Sequence, residues 1–236
     1  KGPWILQLDA DEVVSKELAQ EIKLLVNLED SELEKKYGWV SNFDKYNFND
    51  NESKMSGYKK RLFAKQLDLI KDRDGQVGTD NVNDPISAFF IPRTNYFLAK
   101  FLKYGGTYPD GVIRLFRKEL ARLPAKDVHE QYEVKGRVSW LNHDLKHFDS
   151  PTFERYLTRN NRYSSLFAKQ LSDSKIEINW RTGFYYLIFK PWLTFLVLFF
   201  RHKGFKDGFA GLIWAWYSGK TWRDAYVKYY ESCNRH

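Results

Sequence analysis

The stretch that most constrains the chain is Trp4-Ile5-Leu6-Gln7-Leu8-Asp9-Ala10-Asp11-Glu12. Trp4 to Leu8 is a short, largely apolar run with the length of a buried strand. It stops at three carboxylates within four residues. In open α/β sheets, ligands sit beyond the carboxyl ends of the strands, so an acidic cluster there faces a cleft. Asp9 and Asp11 are separated only by Ala10. That spacing lets both carboxylates address one hard divalent cation, or divides them between a cation and a hydroxyl. Mg²⁺ and Mn²⁺ take oxygen ligands and usually share them with phosphates. The same residues also read as an acidic turn opening a helix, with Ser15 as N-cap and Glu17 at the positive end of the helix dipole.

In that helix Leu18, Ile22, Leu25 and Val26 recur at helical spacing, which marks a core face. Glu17, Gln20, Glu21 and Lys23 are expected to face water, and the helix to end near Asn27. Residues 30–85 are polar and little periodic, which predicts an inserted surface excursion, partly disordered, with a short basic helix over 58–70. Ser87 to Pro92 reads as a strand and Phe97 to Tyr104 as a short apolar-basic helix. Gly105-Gly106 ends it and permits positive φ or a close backbone approach.

Pro109 restricts Tyr108-Pro109-Asp110 to a rigid turn that presents a carboxylate. Val112 to Arg117 alternates as a strand, with Arg114 on the face of Val112 and Phe116 and Arg117 on the face of Ile113 and Leu115. One arginine then points toward the cleft. Arg114 reads either as a phosphate-facing fork or as a structural ion pair. Asp127-Val128-His129-Glu130 forms a further polar knot, and His143 and His147 follow within 138–148. Ser150-Pro151 reads as the start of a helix. Its apolar stripe runs from Phe153 and Tyr156 to Leu171, and Arg155, Arg159 and Arg162 make a basic one.

The 236 residues, 43% hydrophobic and 17% aromatic, suffice for a sizeable core. The net charge of +8 implies a polyanionic partner. No recognised nucleic-acid motif is present, so nucleic acid is not the expected one. The basic residues instead flank apolar segments near the C-terminus. Phe184 to Phe200 is interrupted by Lys190-Pro191 and closed by Arg201, His202 and Lys203; Phe209 to Tyr217 adds two tryptophans. Aromatic, basic-flanked helices of this kind read as a monotopic anchor on an anionic leaflet, in preference to a transmembrane hairpin or a buried core helix. Trp222 to Tyr230 reads as a short amphipathic helix. The single cysteine, Cys233, excludes an intrachain disulfide.

Three blocks taken together resemble a known family: WILQLDADEVVSKEL; Gly105 to Asp110 with Ile113-Arg114-Leu115-Phe116-Arg117 and Val128-His129-Glu130; and His147 ahead of a helix carrying Arg162-Tyr163. Their order and spacing resemble the family 2 glycosyltransferases, inverting enzymes of the GT-A fold, in the subgroup typified by the lipopolysaccharide-core β-glucosyltransferases. The resemblance covers most of the chain apart from about 30–85. It implies an α/β fold: the C-terminal part of a GT-A (Rossmann-like) domain over 1–150, then a helical, membrane-interfacial region over 151–236, with the nucleotide-binding half preceding this chain.

The implied reaction moves a hexose from a nucleotide-diphosphate sugar donor to a lipid-linked, lipopolysaccharide-core or cell-surface saccharide acceptor. Mg²⁺ or Mn²⁺ is the implied cofactor, and the implied location is the cytoplasmic face of the inner membrane. By the same resemblance Asp11, with Asp9, holds metal and donor, and His147 is a third metal ligand. Arg93, Arg114 and His129 lie on the donor side. Inversion needs a single general base, and Asp110 and Glu130 are the candidates, Asp110 preferred for its rigid turn after two glycines. Two other readings stay open: a non-catalytic membrane-surface binding module, and another metal-dependent transferase. The lack of a Gly-rich P-loop counts against nucleotide hydrolysis by that route.

Overall fold

The computed structural model describes residues 2–38, 57–74, 77–122 and 133–234. The Asn- and Asp-rich run at 42–50 and the 127–130 knot, with His129 and Glu130, lie outside the described residues. The chain divides into two compact units, Lys1–Thr94 with Pro109–His147, and Asn95–Tyr108 with Phe148–His236.

The first unit is mixed α/β. Its elements are β1 (Trp4–Leu6), β2 (Glu12–Val14), α1 (Lys16–Leu25), α2 (Asp30–Tyr37), α3 (Gly57–Asp74), the start of β3 (Ile86–Phe97), β5 (Asp110–Arg117), β6 (Ala121–Arg122), β7 (Glu133–Val134), β8 (Arg137–Trp140) and the start of β9 (Leu145–Ser150). Among the described residues the main sheet runs β1-β5-β3-β9-β2. The β1–β5, β3–β5 and β2–β9 pairs are antiparallel and β8 lies parallel to β3, so the sheet is mixed rather than all-parallel. β1 is an end strand of this path. Its Ile5, Leu6 and the following Leu8 are 36–40% exposed, less covered than the reading of Trp4 to Leu8 as a buried strand predicts. An end strand has a neighbour on one side only, here β5. Trp4 still packs on Phe89, with ring centroids 5.7 Å apart.

α1 begins as its sequence predicts. Ser15 caps it by accepting from the Leu18 N–H (3.1 Å), and Leu18 and Leu25 are fully buried. Glu21 departs from the expectation of a solvent-facing side chain and is only 6% exposed. A ring of donors accounts for this: the backbone N–H groups of Asn142 and His143, the His143 Nδ1 (2.8 Å) and the Tyr37 hydroxyl. A buried carboxylate is tolerated when its oxygens are hydrogen-bonded, and these donors come from more than a hundred residues away or from the next helix.

The 30–85 region likewise contributes to the core. Leu33 and Tyr37 of α2 join Leu18, Leu25, Phe89 and Ile91 in the central cluster. Phe63 of α3 is fully buried and stacks on Trp140 at 4.4 Å. Apolar residues four apart in α2, and seven apart in α3 (Phe63 and Ile70), fall on one helix face. A narrow stripe of this kind is enough to dock an otherwise polar helix.

In the second unit β3 ends in a hairpin with β4 (Lys100–Phe101) rather than running into a helix. The turn residues Leu98 and Ala99 both have positive φ, 46° and 61°, the geometry of a tight two-residue hairpin turn. Asn-Gly is its usual sequence signal and is absent here, so the turn is hidden in the sequence. Gly105 and Gly106 do adopt positive φ, 64° and 76°. Asp207 accepts from the N–H groups of Lys103 and Tyr104 (3.0 and 2.8 Å) and so ties this segment to the C-terminal helices.

α4 (Phe153–Asp173) starts three residues beyond Ser150, with Thr152 as the cap. α5 (Trp180–Phe184), α6 (Lys190–Leu196) and intervening π-turns form one apolar helical run, Trp180–Arg201. α7 (Phe209–Cys233) is a single helix that takes in both the second apolar segment and the amphipathic tail. It packs on α4 and α6. At Gly219 an added Cβ would lie 2.5 Å from the Pro191 carbonyl oxygen, so glycine sets how close α6 and α7 come.

Candidate functional site

The site is built on the turn between β1 and β2. The Glu12 N–H donates to the Asp9 carbonyl (3.1 Å), and the Asp9 N–H donates back to Glu12 Oε2 (3.1 Å). This closed turn sends the Glu12 side chain inward, where its carboxylate is fully covered. Glu12 Oε1 then accepts from Arg93 Nη1 (3.1 Å) and from Arg114 Nε and Nη2 (3.2 and 2.9 Å). Arg114 Nη2 also donates to Asp9 Oδ2, and Arg93 Nη2 pairs with Asp110 Oδ2 at 2.8 Å.

Strand register explains this convergence. Arg93 of β3 lies opposite Asp110 of β5, and Glu12 of β2 lies opposite His147 of β9. Phe89 faces Leu115 and Phe90 faces Ile113, so Arg114 has no opposite residue in β3. It is the extra residue of a β-bulge, a device that re-aims a side chain. Its carbonyl accepts from the Gln7 N–H (2.9 Å), while its guanidinium reaches Asp9 and Glu12. Simple alternation along Val112 to Arg117 is therefore broken at the one residue that matters. Arg117 pairs with Asp30 and lies over the Trp4 ring.

His147 Nε2 is 3.7 Å from Asp11 Oδ1. Burial, and then the charge of Arg93, hold the imidazole below its ordinary value of 6.5, although Asp11, Asp110 and Glu12 pull the other way. It is neutral at physiological pH, the form in which an imidazole can act as a metal ligand. Burial alone would push Glu12 up. Arg114, the Asp9 N–H and Arg93 together outweigh that and hold it below the ordinary 4.5. Four carboxylates (Asp9, Asp11, Glu12, Asp110) thus face two guanidiniums (Arg93, Arg114), and the cluster keeps a net negative charge suited to a cation. Carboxylate oxygens together with a neutral imidazole make a donor set compatible with Mn²⁺ or, less readily, Mg²⁺.

The residues Asp9, Asp11, Arg93, Asp110, Arg114 and His147, read from the sequence as site residues, come together in one network. Asp110 opens β5 rather than sitting in a free turn. Glu12, which no sequence argument placed in the site, is its hub. The available signal was its position as the third carboxylate of the cluster, sharing a strand face with Val14. Among the described residues four buried side-chain polar atoms have no hydrogen-bond partner, Arg93 Nε, Arg117 Nε, Trp140 Nε1 and Asn142 Oδ1, and the first of these belongs to the cluster.

By fold and site, this is a mixed α/β protein with a carboxylate, guanidinium and imidazole cluster at the end of an apolar strand. Over 138 residues, 56% of its length, the chain is 31% identical to a Rhizobium meliloti (strain 1021) protein named lipopolysaccharide core biosynthesis glycosyltransferase LpsC. The match covers 48% of that protein, so the chain spans about half of that relative's length. No family model matches the chain, and no solved structure matches it.

Proposed function

We propose that the chain forms part of an inverting glycosyltransferase of family 2 and GT-A type, which moves a hexose from a nucleotide-diphosphate sugar to a saccharide of the lipopolysaccharide core or a related cell-surface acceptor. The observation that carries this reading is the convergence of Asp9, Asp11, Arg93, Asp110, Arg114 and His147. The similarity to a glycosyltransferase of core biosynthesis supports it.

Each residue then has a task. Asp11 and His147, with Asp9 nearby, would hold Mg²⁺ or Mn²⁺, and such an ion supplies Lewis-acid neutralisation of a leaving diphosphate. Arg93 meets the donor phosphates: its buried, unpartnered Nε is a donor awaiting an acceptor, and unsatisfied buried groups are costly. Asp110 takes the acceptor hydroxyl proton, with Arg93 holding its carboxylate in place. A single displacement needs one base and no covalent intermediate. Glu12 orients both arginines. His129 and Glu130 remain candidates on the donor and base sides.

The helical unit supports a second element of the reading, attachment to the membrane surface, which we place at the cytoplasmic face of the inner membrane. Trp180–Arg201 is 22 residues long and apolar enough to cross a membrane by length and composition, and none of its apolar window is buried. At about 1.5 Å per residue it measures roughly 33 Å. That length alone permits spanning; the Lys190-Pro191 interruption and the aromatic content favour lying in the interface.

The test uses the full-length protein with membranes, a panel of nucleotide sugars and Mn²⁺ or Mg²⁺, following nucleoside diphosphate release. The expected result is metal-dependent release with one donor, reduced by roughly 10²–10³ in Asp11→Asn. Folded, membrane-binding protein that releases nothing with any donor overturns the enzyme reading and leaves a membrane-surface binding module.

A further inference from the structure

We infer that α6 and α7 form a binding site for one anionic membrane phospholipid, with its phosphate at Lys220 and Arg223 and an acyl chain in the groove beside them. This rests on the membrane-surface part of the proposed function but not on the transferase chemistry.

The groove has a volume of about 260 Å³. Leu187, Pro191, Trp192 and Phe195 line one wall, and Trp216, Lys220 and Arg223 line the other. The two helices run antiparallel past each other. Tyr186 stacks on Tyr226 (5.4 Å), Gly219 meets Pro191, and Phe195 meets Trp216 (6.0 Å). The groove therefore has a polarity. Its Trp216 end is lined by aromatic rings, with Trp192 also against Trp216 at 5.8 Å. Its other end carries Lys220 and Arg223. These three α7 residues, at i, i+4 and i+7, share one helix face and span about 10 Å. An occupant must be apolar along most of its length and anionic at one end.

The charges argue for an external anion. Lys220 pairs with Asp224 (2.6 Å). Arg223 is exposed and has no carboxylate partner among the described residues. Lys190, on the opposing helix, is held by rings instead of a carboxylate: its Nζ is 3.4 Å from the Trp222 centroid and 5.2 Å from that of Tyr186. Lys220 and Arg223 thus bring two cations to this end of the groove against the single carboxylate of Asp224. A guanidinium fork matches phosphate oxygens. The apolar wall continues outward as Phe184, Ile188, Phe189 and Leu196, all 46–55% exposed. The groove is therefore continuous with a surface suited to acyl chains. Pockets that enclose a drug-sized ligand hold about 300–1,000 Å³, so this groove takes one chain and not a whole lipid.

The experiment measures binding of the full-length protein to phosphatidylcholine vesicles with and without phosphatidylglycerol. Quenching of tryptophan fluorescence by phosphatidylglycerol brominated in its acyl chains reports entry to the groove. The double variant Lys220→Gln/Arg223→Gln is compared with a charge-matched control, Lys169→Gln/Lys175→Gln, two exposed lysines of the same unit. We expect the groove variant to lose roughly 25-fold in affinity for anionic vesicles, about fivefold per basic residue at such a surface, and to lose the selective quenching. The control should retain both. Equal losses in the two variants mean diffuse attraction and overturn the site. Quenching that persists in the groove variant overturns it as well. Wild-type protein that binds neither vesicle overturns the membrane reading and this site with it, while nucleoside diphosphate release reports separately on the transferase.

Discussion

The two units place their unusual groups on opposite sides of their surfaces. The sheet unit puts charge inside: Glu12 is fully covered and Arg114 is 9% exposed. The helical unit puts rings outside: Trp180 is 77% exposed and Phe209 71%. Buried charge is tolerable only when each group finds a partner, and in the sheet unit the partners belong to the same chain. An exposed aromatic surface finds no such partner in its own unit, and large patches of that kind mark interaction sites. The sheet unit is thus organised for rigidity around a polar cluster, and the helical unit for contact with something outside the chain.

The sharpest break of this comparison is Glu12→Ala. It leaves Arg93 and Arg114 without their shared carboxylate, and removing one partner of a buried pair costs about 3–5 kcal/mol. Denaturant unfolding of the full chain should show that loss. A change below about 1 kcal/mol would mean the network is not holding the unit together.

Asp11→Asn separates chemistry from stability in the same cluster. Its carboxylate is partly exposed, so the unfolding midpoint should hardly move. Nucleoside diphosphate release should drop by roughly 10²–10³, the loss seen when one electrostatic contact to the transition state is removed. Parallel loss of stability and activity would reassign Asp11 to the structural network.

In the helical unit the pattern should invert. Ile188, half exposed, changed to Glu, should alter the unfolding free energy by no more than about 0.5 kcal/mol. Vesicle affinity should fall about tenfold, because buried apolar area contributes about 25 cal/mol per Å². Sedimentation with vesicles reads the second effect and denaturant titration the first.

The smallest effect is a pH dependence confined to the sheet unit. Folding lowers the values of both His147 and Glu12. The unfolded state then binds more protons in each window, so stability falls as the solution is acidified. The His147 contribution is complete above its ordinary 6.5 and fades as pH drops from there toward its folded value. That of Glu12 is complete above 4.5 and fades below it. Urea midpoints measured across pH should show both steps, and His147→Gln should remove the upper one only.

Much of the site was legible from the sequence because its chemistry is local there. The acidic cluster follows an apolar run, Ser15 caps the next helix, and Gly105 and Gly106 mark left-handed backbone. Glu12 and Glu21 were not legible. Helical or strand period predicts which face a residue shares, but not whether distant donors will bury a carboxylate on it. The helix over 58–70 was legible, with Phe63 among its apolar residues, but the core burial of Leu33, Tyr37 and Phe63 was not, because so few apolar residues in a polar stretch carry a weak periodic signal. The Leu98-Ala99 turn was missed because neither residue advertises positive φ.

The sequence by itself determined which groups are available: the carboxylates after β1, the arginines of β3 and β5, the late histidine and the aromatic, basic-flanked helices. Only the tertiary structure decided their partners. Register sets Arg93 against Asp110 and Glu12 against His147, a bulge turns Arg114 into the cluster, and Gly219 lets two helices close around a groove. Propensity and patterning act over a few residues along the chain. Ion pairs and packing act over a few ångströms in space, and folding alone brings those two neighbourhoods together.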